Sequence, residues 1–503
     1  MNLPRNDPRP VRLSNATVAS LPAPVARPRY DRSAVKIGVV HLGIGAFHRA
    51  HQAVMFDDLL NCGDLRWGVL GASLRTPDVR DRLMPQDGLY TLVDRDGSDQ
   101  RMRVIGAVQE VLVGPEHPQR LIAAMATPDV HLVTLTVTEK GYKLDPSSGV
   151  LLFDDPEVAA DLADPTQPRT APAFIVAALA RRRALGLLPF TVMSCDNLSG
   201  NGQRVRSAVI AFAKAIDPSL SEWIAEAGAF PNTMVDRIVP ATTQADIAHL
   251  AERLGVEDRG TVNTEPFSQW IIEEHFAGPR PDFDAVGARV TNDAQVWEAA
   301  KLRLLNGAHS CLAYLGALSG IEFVHEAAAH PAFRRLIEQL WDEAQTTLKH
   351  DPQLDVPRYR SQLLARFLNT ALNHRTRQIA DDGSQKLPQR LVISVRERLR
   401  HNLPIDALAL AIAGWIRWQR GIDDFDRPYA VIDPLAPLTR AIWDASSDDV
   451  SAIVGGHLAL NQVFTADLAD DQRLRTALEA ALARLLRDGA LKSVESHGDG
   501  ARC

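Results

Sequence analysis

The chain has 503 residues, 46% hydrophobic and 23% charged, a balance that excludes a largely disordered protein and supplies enough apolar surface for two or three domains. Lys and Arg total 55 against 62 Asp and Glu, a formal net charge of −7, so no global basic field favours nucleic acid or an anionic lipid surface as partner. The longest apolar runs, such as residues 407–415, fall far short of the ~20 residues a bilayer span needs, so no membrane helix is expected.

Residues 1–34, rich in Pro and Arg, read as an N-terminal tail that lacks the apolar core and cleavage site of a secretion signal. The cysteines Cys62, Cys195, Cys311 and Cys503 form no CxxC pair, which favours neither structural zinc nor a secreted disulfide framework and gives a cytoplasmic expectation. Residues 35–42 are a β-rich run of the kind buried in a parallel sheet, and they end at Gly43-Ile44-Gly45. Ala50, Ala53, Val54, Phe56, Leu59 and Leu60 then recur near helical spacing and predict an amphipathic helix. Shorter apolar runs at 67–74, 131–137 and 189–195 extend the same sheet. Residues 35–292 are therefore expected to form a doubly wound α/β domain with its ligand beyond the carboxyl ends of the strands. After about Asn292 the apolar residues recur at helical spacing over 294–318, 327–349, 357–372, 404–420 and 471–491, so residues 293–503 should be mostly helical. No repeat of solenoid period interrupts either half.

Gly43-x-Gly45 at the first strand-to-helix turn suits a dinucleotide: the first glycine makes the tight turn and the second lets pyrophosphate approach the backbone. His48 stands where the usual third glycine would be, which predicts looser packing of helix on strand and leaves a glycine turn in some other α/β protein as an equal alternative. His41, His48 and His51 invite a metal reading, but no cysteine or carboxylate completes a recognisable zinc spacing. On an α-helix at about 100° per residue, Glu298, Lys301, Asn306 and His309 share an arc of roughly 140°. That arc is either a cluster of functional groups or an ordinary charged face whose Glu298–Lys301 pair contributes ~0.2–0.5 kcal/mol.

Several segments together resemble the mannitol dehydrogenase family of polyol-specific long-chain dehydrogenases and uronate reductases: Gly43-Ile-Gly-Ala-Phe47-His48-Arg49-Ala-His51, Thr138-Glu-Lys-Gly-Tyr142, Ser194-Cys-Asp-Asn197, Val235-Asp236-Arg237 and Lys301-Leu-Arg-Leu-Leu-Asn306-Gly-Ala-His309. The resemblance implies an N-terminal Rossmann-type dinucleotide-binding domain over 35–292, a mostly α-helical substrate and catalytic domain over 293–503, and metal-free hydride transfer with NAD. It implies cofactor contacts at Gly43, Ile44, Gly45, Ala46, Phe47, His48 and Arg49. Lys301 takes the role of proton donor and acceptor, Asn197 and Asn306 that of oxyanion donors, His309 that of substrate orienter, and Glu298 a part in proton passage. A lysine at its ordinary pKa of ~10.4 is a poor base at neutral pH, so burial or a neighbouring cation is expected to lower that of Lys301.

For the substrate, residues 373–388 look most like the fructuronate reductase (mannonate oxidoreductase) branch, with Gln378 where mannitol enzymes carry an arginine. Asp236, Arg375 and Lys386 are the candidate substrate contacts, and Arg375 or Arg377 could hold a hexuronate carboxylate or simply brace the loop. The small-molecule partner is thus a hexuronate, or else a polyol such as mannitol, and the sequence says nothing of oligomeric state. A ribose-binding acid is expected about 20 residues after the glycines, near the end of the second strand. The segment there reads Leu74-Arg75-Thr76-Pro77-Asp78, with Arg75, which could take a 2′-phosphate, first and the candidate Asp78 only later; the resemblance favours NAD. A non-catalytic dinucleotide sensor or a methyltransferase could share the glycine turn, but neither needs the ordered set Asn197, Lys301 and Asn306.

Overall fold

The structure is a computed structural model that describes residues 11–145 and 148–497. Cys503 lies outside the described residues, and no helix is long and apolar enough to cross a membrane. The chain divides into two compact units between Gln295 and Val296.

The first unit is built on a five-stranded sheet. Its strands are β1 (Ile37–Leu42), β2 (Gly68–Ser73), β5 (Val108–Val113), β6 (Leu132–Leu135) and β7 (Thr191–Ser194), in the spatial order β5-β2-β1-β6-β7 with every pairing parallel. The four apolar runs legible in the sequence are β1, β2, β6 and β7. They are buried on both faces, as a parallel sheet covered by helices must be. Val40 and Leu42 pack into a core with the helix Ala171–Ala184, whereas Val39 packs into a second core with the helix Gln52–Asn61, so one strand feeds two layers. Successive connections leave β1 in opposite directions along the sheet, and this reversal opens a crevice beyond its carboxyl end.

Between these strands come β3 (Tyr90–Asp96) and β4 (Asp99–Ile105), an antiparallel hairpin extended by β9 (Val262–Thr264). A third sheet joins β8 (Thr233–Asp236), β10 (Gln269–Glu273) and β11 (Arg289–Thr291). The expectation of a separate tail over 1–34 needs correction from Val11 onward. Leu13, Leu21 and Val25 are buried against Leu89, Val104 and Leu250, and Ala26 bridges to Arg103 in β4, because apolar residues recur between the prolines.

The helix expected after Gly45 is also corrected: it runs Ala46–Ala50, breaks at His51 and resumes as Gln52–Asn61. The place of the third glycine is filled by stacking, for the rings of His48 and His41 lie 3.4 Å apart and nearly parallel at 13°.

The second unit is helical. The helices Gly307–Leu318 and Asp406–Trp418 run through its interior, buried along nearly their whole lengths, and Gln472–Asp488 packs on the second. The single helix expected over 327–349 is two, Val324–Ala329 and Pro331–Gln345, divided where His330 caps the new helix and Pro331 opens it. Between Ala294–Ala300 and Gly307–Leu318 the segment Lys301–Asn306 is a π-helix, marked by the Gly307 N–H bonding back five residues to the Leu302 carbonyl. The indole N–H of Trp341 donates to the Leu304 carbonyl inside this widened turn at 2.9 Å.

Candidate active site

Gly43 follows β1 with φ +93°, a conformation that only glycine adopts without strain, and a Cβ there would overlap the Thr136 carbonyl beyond β6. Its N–H donates to the Ala72 carbonyl at 2.8 Å, and its own carbonyl accepts from the Thr136 hydroxyl at 2.7 Å. Gly45, in contrast, is uncrowded: a Cβ there would make only an ordinary contact with the Gly43 carbonyl, at 3.8 Å. The two glycines thus differ: Gly43 sits at a φ and a contact that exclude a side chain, whereas Gly45 is less crowded. Gly43→Ala is expected to weaken NADH binding and lower Tm, since a side chain at this φ costs about 1–3 kcal/mol before the overlap is counted. Fluorescence titration and thermal melting check both, and unchanged values would remove Gly43 from the turn.

A crevice of about 340 Å³ opens here, and Gly43, Ile44, Gly45, Leu74, Arg75 and Thr138 are among the residues that line it. Three of the expected cofactor contacts therefore face it, while the others are placed elsewhere. His48 is buried on His41, with Nδ1 against the Gln52 side chain at 3.3 Å. Arg49 is buried and donates to the carbonyls of Gly260 and Gly45. Ala46 and Phe47 do not line the crevice either, nor does Asp78. The last is exposed and accepts from the Thr76 hydroxyl at 2.9 Å, so Arg75 holds the place expected of a ribose-binding acid.

His41 is fully buried, its Nδ1 2.7 Å from the Thr134 hydroxyl and its Nε2 2.9 Å from that of Thr136. Burial lowers its pKa to about 3 and holds that of His48 well below the ordinary range, so both rings are neutral at physiological pH. His51 meets the Gln269 carbonyl through Nε2 at 2.9 Å. These three histidines are engaged inside the fold, and among the described residues no group of three or more His, Cys, Asp or Glu could hold a metal ion.

The crevice wall at Thr138 is unusual. This β-branched residue sits at φ +66° and ψ +167°, a region nearly exclusive to glycine. The Asp196 carboxylate holds it there by accepting from the N–H groups of Val137 and Thr138 at 3.1 and 2.9 Å and from the Tyr142 hydroxyl at 2.6 Å. Burial pushes the Asp196 carboxyl up. The two runs Thr138 to Tyr142 and Ser194 to Asn197 were visible as motifs, but nothing in their order revealed that Asp196 braces Thr138. Asn197 is the next residue and is exposed; Asp236 ends β8 and is buried.

In the helical unit Lys301 opens the π-helix and is 7% exposed. Asn306 closes it, half-buried, and its side chain makes no hydrogen bond among the described residues. With i→i+5 bonding each residue advances less than 100°, so Asn306 falls short of the 140° an α-helix would give and lies closer to the line of Lys301. Glu298 is half-buried in Ala294–Ala300. His309 packs on Phe367 with ring centres 4.7 Å apart and on His374 at 6.0 Å.

Of the candidate substrate cations, Lys386 is half-buried, whereas Arg375 is exposed, paired with Glu322 and laid over the Phe323 ring at 5.6 Å. Arg377 pairs with Asp423 at 3.3 Å. Both arginines brace loops in this structure.

A parallel sheet with a glycine turn at its switch point, joined in one chain to a helical unit bearing a buried lysine, defines a dinucleotide-dependent dehydrogenase. Residues 37–285 match the Mannitol dehydrogenase Rossmann domain and residues 293–486 the Mannitol dehydrogenase C-terminal domain; the chain belongs to the mannitol dehydrogenase family. It is 41% identical over 489 residues to the D-mannonate oxidoreductase of Escherichia coli (strain K12), covering 95% of this chain and 99% of that protein. It is 40% identical over 502 residues to the mannitol 2-dehydrogenase of Phaeosphaeria nodorum (strain SN15 / ATCC MYA-4574 / FGSC 10173), covering 98% and 87%. Among solved structures, the Pseudomonas fluorescens mannitol 2-dehydrogenase in ternary complex with NAD and D-mannitol superposes with a TM-score of 0.81 at 35% identity, covering 96% of this chain and 99% of that one.

Proposed function

We propose that this protein interconverts a ketohexuronate and the corresponding hexonate, D-fructuronate and D-mannonate, with NAD(H). At the coarser level it is an NAD-dependent oxidoreductase acting on CH–OH groups. The observation that carries the finer reading is the pairing of a retained, half-buried Lys386 with Gln378 where a mannitol enzyme carries arginine, alongside the D-mannonate oxidoreductase among the relatives. A mannitol 2-dehydrogenase relative at 40% identity favours the second reading, a polyol dehydrogenase.

The crevice fits the cofactor: Gly43 shapes the turn, Gly45 leaves the backbone open, and Arg75 and Thr138 stand along the wall. NAD(H), when bound, supplies or accepts the hydride. The chain's own residues manage the proton and the charge on oxygen. Lys301 gives a proton to the ketone oxygen during reduction and takes it back from the alcohol during oxidation. Asn306 donates its amide hydrogens to that oxygen as negative charge develops, and Asn197 is assigned the same role. His309, held by Phe367, orients the substrate hydroxyls; Asp236 accepts from one of them, and Glu298 exchanges protons with Lys301.

The test is NADH oxidation with D-fructuronate and D-fructose as alternative substrates. They differ at one end by a full negative charge, and a hydrogen bond to a charged group is worth ~1.5–3 kcal/mol, so kcat/KM should favour fructuronate by roughly 10–100-fold. Equal or better use of fructose would leave the polyol dehydrogenase as the reading.

A further inference from the structure

The segment Pro388–Val392 is a second π-helix, and it packs against the first and against Gly307–Leu318. Contact is close at Gly307, where a Cβ would stand 3.1 Å from the Arg390 carbonyl. The Arg390 side chain reaches the same helix: its Nη1 donates to the Ser310 hydroxyl at 3.2 Å, at the residue after His309 and one turn beyond Asn306. Lys386 lies four residues before Arg390, its ammonium turned onto the carbonyls of Asp381 and Ile379.

Two half-buried cations therefore stand side by side. Burial pulls both below their ordinary pKa ranges, and the Arg390 charge lowers Lys386 further. Asp381, Asp382 and Asp433 face Lys386, but Arg390 feels no carboxylate and forms no ion pair among the described residues. Its Nε and Nη2 donate to no protein atom there, which leaves one edge of the fork open. This contrasts with Arg375 and Arg377, whose charges are met by Glu322 and Asp423. The neighbouring Tyr314 hydroxyl, within electrostatic reach of Arg390, is buried and unpartnered among the described residues; it stands with the equally unpartnered Trp415 indole N–H against Gly383. The three carboxylates act on Lys386 and Tyr314, so the unmet donor here is the open edge of Arg390 itself. A desolvated guanidinium beside an ammonium is costly until an anion arrives, and a carboxylate matches an open guanidinium edge with two parallel hydrogen bonds.

We propose that Arg390, acting with Lys386, is the specificity-determining residue that receives the carboxylate of an acidic sugar substrate. This rests on the uronate reading above and moves the carboxylate contact from the exposed Arg375 to an arginine that the order of residues did not single out.

The experiment measures kcat/KM for D-fructuronate and D-fructose with the full-length wild type and with Arg390→Gln, Arg390→Lys and Arg375→Gln, using NADH fluorescence titration to report the folded cofactor site. Arg390→Gln should narrow the fructuronate-to-fructose ratio by roughly 10–100-fold, chiefly through KM for fructuronate, and weaken product inhibition by D-mannonate in parallel. Arg390→Lys, which keeps the charge and loses the fork, should narrow it less, and it carries the test if the Gln variant fails to bind NADH. A wild type that prefers fructuronate combined with Arg390 variants of unchanged ratio overturns the assignment and leaves the uronate reading standing. So does a narrowing caused by Arg375→Gln alone. A wild type without that preference overturns the reading and this assignment with it.

Discussion

Lys301→Ala should lower kcat by ~10²–10⁴-fold at saturating substrate, the range that a positioned general acid or base supplies. The loss should come from chemistry and not from unfolding. Alanine has the best helix propensity, and a separate Tm measurement on the variant reports any loss of fold from removing a side chain that is only 7% exposed. NADH affinity should persist, because the glycine turn and the crevice residues belong wholly to the N-terminal unit. Steady-state rates set beside a fluorescence titration with NADH decide the matter. A variant with near wild-type kcat would take the proton-transfer role from Lys301.

Asn306→Ala should cost ~10²–10³-fold in kcat with a smaller change in KM, as expected when an amide interacts more strongly with the charged transition state than with the ground state. Its side chain has no hydrogen-bond partner among the described residues, so truncation breaks no internal bond, and Tm should stay close to that of the wild type. Asn306→Asp, which replaces the donor by an acceptor and adds a negative charge beside a developing one, should be at least as damaging. Asn197→Ala should move in the same direction. An effect confined to KM in these variants would make the amides ordinary substrate binders.

The strands that could be read from the chain are those buried on both faces, where a continuous apolar run survives as a signal: β1, β2, β6 and β7. The hairpin of β3 and β4 escaped because its outer half is polar, with Asp94, Arg95 and Asp96 opposite Asp99, Gln100 and Arg101, and because its pairing depends on partners elsewhere in the unit. The strands β8 to β11 span only three to five residues each, too few for any periodicity. The π-helix at Lys301–Asn306 was invisible for another reason. Its hydrogen-bond register is a tertiary property, linked to an indole N–H from Trp341 that arrives from a different helix.

The glycine turn was legible because φ +93° leaves a mark on composition. The neighbouring positions were carried along by proximity in sequence, and a single helical turn was enough to send His48 and Arg49 into the core. The same limit applies to Arg375, which is adjacent to a suggestive motif but spends its charge on Glu322.

The Asp196 brace has a consequence for how this protein could change over generations. One carboxylate fixes the Thr138 backbone at the crevice wall, and the next residue in the chain is Asn197. A threonine at φ +66° is a compressed spring of roughly 1–3 kcal/mol, held down by three hydrogen bonds to a single side chain. Under the function proposed above, the crevice wall and the placement of Asn197 are therefore inherited as one character. A substitution at Asp196 removes the acceptor of the Val137 and Thr138 N–H groups at the residue next to Asn197, so on that reading a change made here for the cofactor reaches the reacting end as well. On the same proposal such tuning falls to Arg75, which lines the crevice after β2, where a change leaves the spring loaded.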